Sequence, residues 1–88
     1  MQTSGNKIYV FGKVANPGAY TLSGPVDILQ ALSLAGGLDR FASEGNIKVL
    51  RRQNGIQKAI PFNYSEVLEG ENLQSNIILQ SGDVVVVP

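Results

Sequence analysis

The sequence predicts an α+β roll: a mixed sheet of about five strands with one main helix packed on one face. Two strand pairs joined by short turns, a single well-marked helix between them, and a closing run of four valines carry this expectation. The chain has 88 residues, which makes one domain, too short for two independent cores. A domain of this size buries roughly 60–65% of its unfolded surface and can fold alone.

Lys7 to Val14 (KIYVFGKV) reads as the first strand, with Ile8, Val10, Gly12 and Val14 on one face and Tyr9, Phe11 and Lys13 on the other. Asn16-Pro17-Gly18 is a turn, because proline fixes its own φ and glycine accepts a positive one. Gly18 to Leu22 resumes as the second strand. A helix follows, with Gly24 as N-cap, Pro25 at the first helical position and Asp27 in the first turn. Ile28, Ala31, Leu32 and Ala35 fall at i, i+3, i+4 and i+7, an apolar stripe that Leu29 widens. Gly36-Gly37 closes the helix.

Asn46 to Arg52 reads as the third strand and Ile56 to Phe62 as the fourth, joined at Asn54-Gly55 by a type I′ turn. A short helix at about Tyr64 to Glu69 ends at Gly70. Ile77 to Leu79 is expected to be extended, and Ser81-Gly82-Asp83 turns the chain into Val84 to Val87. Four consecutive apolar residues indicate a strand covered on both faces or placed mid-sheet. With the first and last strands central and parallel, the arrangement is a β-grasp roll. Residues 7–88 form this single domain, and Met1 to Asn6 read as an added start or a linker.

Composition narrows the chemistry. Seven basic residues balance seven acidic ones, unlike the basic footprint of a nucleic-acid binder. Without cysteine there is neither a disulfide framework nor thiolate chemistry, and without histidine the commonest metal ligand and general base are missing. No cofactor or metal site is expected. No apolar run approaches the roughly 18 residues of a transmembrane helix, so no direct membrane insertion is expected. No signal peptide precedes the first strand; if the parent protein is exported, this is an internal piece of it.

From Val10 to Leu38 the chain resembles the SLBB (soluble-ligand-binding β-grasp) domain of bacterial outer-membrane polysaccharide export proteins. In that family a strand ending in Gly-x-Val runs into Asn-Pro-Gly-x-Tyr, and a helix then ends in Ala-Gly-Gly. The matching positions here are Gly12, Val14, Asn16, Pro17, Gly18, Tyr20, Ala35, Gly36 and Gly37. The likeness continues through Phe41-Ala42, the strand at Ile47 to Arg52, and Gly82-Asp83-Val84. It implies a β-grasp fold, a periplasmic location within an outer-membrane-associated protein, and a parent that assembles as a ring-shaped export channel with other domains and subunits as partners. Polysaccharide is the implied ligand. Related β-grasp domains occur in DNA-uptake and respiratory-complex proteins, and a purely structural oligomerisation spacer is the other reading.

A catalytic constellation is not evident, and the chain is read as a binding domain and not an enzyme. Ser4, Ser23, Ser33, Ser43, Ser65, Ser75 and Ser81 have no histidine to activate them. Glu66, Glu69 and Glu71 cluster near the short helix, where a solvated face explains them more simply than a glycosidase pair or a cation site. Gly36-Gly37 follows a helix where a phosphate loop would precede one. Asn63-Tyr64-Ser65 matches the N-glycosylation pattern, which arises easily by chance.

Two surfaces are candidates. Tyr9 and Phe11 fall on the face away from Ile8 and Val10, where they either stack on sugars or a neighbour, or lie under loops as a satellite core. The hairpin with Lys48, Arg51, Arg52 and Lys58 has no acid between Glu44 and Glu66. Set against Glu66 to Glu71, it makes a neutral chain locally bipolar. That pattern suits head-to-tail subunit contacts or an anionic glycan, and it equally describes ordinary solvated charges.

Overall fold

The computed structural model describes residues 6–88. The strands are β1 (Asn6–Gly12), β2 (Gly18–Leu22), β3 (Ile47–Gln53), β4 (Ile56–Phe62) and β5 (Val84–Val87). Helix α1 spans Ile28–Leu34 and α2 spans Tyr64–Leu68, with 3₁₀ turns at Glu44–Asn46 and Leu73–Ser75. Of the expected lead-in, residues 1–5 lie outside the described residues, while Asn6 opens β1.

The five strands form one sheet in the order β2-β1-β5-β3-β4, with β1 and β5 parallel and every other pair antiparallel. The fold is α+β, a mixed sheet with one main helix, and its order is compatible with a β-grasp roll. Ile8 and Val10 of β1, Val49 of β3 and Val85 of β5 are fully buried beneath Ile28, Ala31 and Leu32 of α1. Val67 of α2, Phe62 and Leu79 complete the same core. One face of the sheet is therefore covered, and this inner face carries the apolar stripe that α1 presents.

Helix α1 begins later than Gly24-Pro25 suggest. Asp27 is the N-cap: its Oδ1 accepts from the Gln30 N–H at 2.8 Å, and Gln30 Oε1 accepts from the Asp27 N–H at 3.0 Å. This reciprocal capping box satisfies two backbone donors, which a glycine cap cannot do. Val26 is occupied elsewhere, accepting the Leu79 N–H at 2.8 Å. That bond and the Asp27–Ile78 bridge hold the expected extended segment Ile77 to Leu79 against the helix start, outside the sheet. At the other end Gly37 N–H reaches Leu32 O at 2.9 Å and Gly36 N–H reaches Ser33 O at 3.0 Å, the paired bonds of a Schellman closure.

The first strand ends at Gly12, two residues before the expected Val14, which instead bridges to Leu38. Gly12 has φ +103°, and a Cβ there would stand 2.0 Å from the Val87 carbonyl oxygen. The β1–β5 pair thus closes too tightly for any side chain at this point. Asn54 and Gly55 both take positive φ, 53° and 79°, as the hairpin turn requires.

Gly12→Ala should combine a backbone clash with a strained φ and lower stability by about 2–4 kcal/mol in urea unfolding. Asp27→Ala should remove the capping box and lower it by about 0.5–2 kcal/mol. An unchanged midpoint in either variant would contradict the corresponding constraint.

Candidate functional site

Period-two alternation fixes the outer face once Ile8 and Val10 point inward. Tyr9 aligns with Ala19 on one side and Val84 on the other, and Val84 aligns with Leu50. One row along, Phe11 aligns with Val86, Lys48 and then Pro61. The two rings stand nearly parallel, 5° apart with centroids at 6.4 Å, which is an offset-stacked spacing. Phe11 is 48% exposed and Tyr9 is half-buried, so no satellite core encloses the pair. Val84 and Val86 are also only half-buried, whereas Val85 and Val87 are buried. The valine run is central in the sheet but covered on one face only.

Charge on this face has one sign. Lys7, Lys48 and Arg52 fall on the outer side, all exposed. None of the strands contains an aspartate or glutamate. The outer face is thus an apolar strip with an aromatic ridge, flanked by cations. The described residues enclose no cavity, and no group of three or more potential metal ligands comes together among them.

The structure separates the basic residues expected to act as one patch. Lys48 and Arg52 are an even number of residues apart and share the outer face. Arg51 and Lys58 are cross-strand partners on the inner side, beyond the edge of the core. Arg51 is not a free surface cation: its side chain is 14% exposed, and that of its partner Asp83 is 2% exposed. Arg51 Nη2 donates to Asp83 Oδ2 at 2.8 Å, and Nε lies 3.2 and 3.3 Å from the two carboxylate oxygens. The same guanidinium donates to the Ile78 carbonyl at 3.1 Å, while Asp83 Oδ2 also accepts the Gln80 N–H at 2.8 Å. A carboxylate this deeply buried requires a charged partner. Arg51 therefore leaves the set of ligand or interface candidates, and its parity with the inward Ile47 and Val49 was the available signal.

The acids have separate local tasks. Asn63 caps α2 by accepting the Glu66 N–H at 3.1 Å, so the side chain in the Asn63-Tyr64-Ser65 pattern is engaged. Glu66 Oε1 accepts from Asn72 at 3.2 Å, and Glu44 Oε1 accepts the Ser65 hydroxyl at 2.7 Å. Glu69 and Glu71 are exposed. No helix is long and apolar enough to cross a membrane among the described residues.

Comparison with family models returns a match to the SLBB domain over residues 6–87. The chain belongs to the SLBB family. Comparison with curated proteins returns no match. As an SLBB domain it is a soluble ligand-binding module, and the residues that carry the family likeness are mostly joints between elements. Asn16 N–H donates to Ala35 O at 2.8 Å and Ala15 N–H to Gly37 O at 3.1 Å, locking the first hairpin onto the end of α1. The Tyr20 hydroxyl donates to the Asn16 carbonyl within the same joint. A Cβ on Gly36 would meet the Ala15 Cβ and Asn16 Nδ2 at 2.9 Å. Gly82 N–H donates to Lys7 O at 2.8 Å, bringing Asp83 into place at the head of β5.

Asp83→Ala in this SLBB domain leaves the Arg51 guanidinium without its carboxylate, an expected loss of about 3–5 kcal/mol. A domain of this size has only about 4–13 kcal/mol in total, so the loss is a large share. Arg52→Ala, on the exposed outer face, should stay within about 0.5 kcal/mol. Chemical denaturation of the two variants side by side checks the contrast; equal effects would remove it.

Proposed function

We propose that this SLBB domain is a non-catalytic binding domain of a polysaccharide-export protein, acting on the periplasmic side of an outer membrane, with the outer sheet face as its ligand surface. The observation that carries the reading is the uncovered Tyr9–Phe11 ridge beside Val84, Val86 and Leu50. Apolar ring faces lie against the C–H faces of sugars, and the sheet holds both aromatics without the entropy of ordering a loop. Lys48, in the row of Phe11, and Arg52, two residues beyond Leu50, supply donors for hydroxyl or carboxylate groups at the margin. Such a flat platform suits an extended chain more than a compact small molecule, since pockets bury the latter from several sides.

The test is a titration of the isotope-labelled domain with oligosaccharides released from the producing strain's own exopolysaccharide. Amide shifts are expected at Tyr9, Phe11, Lys48 and Val86. Phe11→Ala should weaken binding about 2- to 12-fold, the equivalent of one aromatic contact of ~0.5–1.5 kcal/mol. Silence at millimolar oligosaccharide, or shifts confined to the inner-face elements, would remove the reading.

A further inference from the structure

The outer face of the sheet is laid out in three rows set by the strand register. The row of Tyr9 runs Ala19, Tyr9, Val84, Leu50 and Ala59, and the row of Phe11 runs Phe11, Val86, Lys48 and Pro61. On the other side of Tyr9, Lys7 pairs with Thr21 and Arg52 pairs with Gln57. β5 begins only at Val84, so no strand residue separates Lys7 from Arg52 in this third row. Gly82 crosses there instead, its N–H donating to the Lys7 carbonyl at 2.8 Å.

This third row differs in kind from the other two. Its side chains are a hydroxyl, an ammonium, a guanidinium and an amide, all exposed. A Cβ on Gly82 would meet nothing within 4 Å, so the two cations flank an open position. Two strand spacings, roughly 10 Å, separate their backbones, a gap that the long arms of lysine and arginine close over one small anion. Among the described residues the ion pair formed is Arg51–Asp83, so neither Lys7 nor Arg52 has a carboxylate of its own. The adjacent acid, Asp83, is buried toward the covered face, where Arg51 neutralises it.

We propose that this row is an anion subsite of the outer face, Lys7 and Arg52 holding a sugar carboxylate while a sugar ring of the same chain lies on Tyr9. The inference rests on the reading of that face as a glycan surface, and it narrows the ligand to acidic polysaccharides. One row, about 6.7 Å along the strand, separates Tyr9 from Lys7, so stacking and ion pairing fall on neighbouring points of one chain. The planar fork of arginine suits a carboxylate in two-point contact, and Thr21 and Gln57 supply hydrogen bonds to hydroxyls beside it. No strand contributes an acid to oppose such a ligand. A single-stranded nucleic acid fits less well. Its phosphates ask for a continuous positive track, and here an uncharged row lies between Lys48 and the Lys7–Arg52 pair.

The test compares short oligogalacturonate with the same oligomer after reduction of its carboxyls to primary alcohols. Each is titrated into the isotope-labelled 88-residue chain at low ionic strength. Both should shift the amides of Tyr9 and Phe11, and only the acid should add shifts at Lys7, Gly82 and Arg52. The acid should bind about 2- to 30-fold tighter, the equivalent of two exposed ion pairs, and about 0.5 M salt should erase the difference. Lys7→Gln and Arg52→Gln should each reduce the preference for the acid, and together they should abolish it. Lys58→Gln, which removes the same charge from the inner side of the hairpin, should leave the preference as it is. Amide spectra of the free variants check their folding. Equal affinity for the two oligomers, with the Tyr9 and Phe11 shifts intact, would overturn the subsite and leave the glycan surface standing; no binding of either would overturn both. An effect of Lys58→Gln as large as that of Arg52→Gln, or tighter binding of oligothymidylate than of oligogalacturonate, would also overturn the proposal.

Discussion

A parallel pair of strands cannot be joined by a tight turn, so placing β5 beside β1 obliges the chain to leave at Gly12, build everything else, and return at Val84. Most features of the domain follow from that return. β5 has only four residues and pairs on both sides, with Tyr9–Gly12 in parallel and Lys48–Leu50 antiparallel. The two hairpins are thereby pushed to the flanks, with β2 and β4 as edges. Both helices lie in the connecting chain and pack on the same side, so the opposite face is left to solvent. The tolerance for error is small, since Gly12 and Val87 approach too closely to admit even a methyl group.

The return is fixed by one residue that works in two directions. The backbone carbonyl of Asp83 accepts the Tyr9 N–H at 3.0 Å, starting the pairing with β1, while its carboxylate holds Arg51 of β3. Asp83 therefore sets where β5 begins relative to both neighbours. The guanidinium extends the link to the Ile78 carbonyl, and the adjoining segment holds the start of α1 through Leu79 and Val26. A pair of apolar residues could fill the same volume, and burying ions is rarely the most stabilising choice. Directional hydrogen bonds are what an apolar pair would lack, and here they join a strand, a loop and a second strand at one point.

What could be read in the sequence is what depends on neighbours a few residues apart. The strand pairs, the Asn54-Gly55 turn, the Ile28–Ala35 stripe and the Gly36-Gly37 stop are set by local periodicity and turn chemistry, and they stand where expected apart from the early end of β1 at Gly12. The start of α1 was ambiguous because Gly24-Pro25 and Asp27 with Gln30 are both good local signals. The choice is made by Leu79, some fifty positions away in the chain, which takes the backbone of Val26. The valine run has a similar history: a central position in the sheet was legible, but whether a layer covers the second face depends on where the connecting chain goes. For the candidate surface, strand alternation placed Tyr9 and Phe11 correctly on the outer side. Alternation also separated Arg51 from Arg52, and grouping them by sequence proximity overlooked it. That Arg51 would find Asp83, 32 positions later, required the β3–β5 pairing.

The uneven distribution of charge has its origin in folding and its consequence at the surface. Acids serve where backbone donors lack partners: Asp27 at a helix cap, Asp39 accepting the Phe41 N–H at 3.1 Å, Asp83 at a turn. Those positions lie outside strands by nature. Strands instead carry lysine and arginine, and on the edge strand β4 the residues Lys58 and Pro61 discourage unplanned pairing along the open edge. A chain with zero net charge thereby acquires a sheet whose charges are all positive and a covering layer rich in carboxylates. The outer face combines cations with an aromatic ridge, while the Asn54-Gly55 end of the β3–β4 hairpin combines them with the exposed side chain of Ile56.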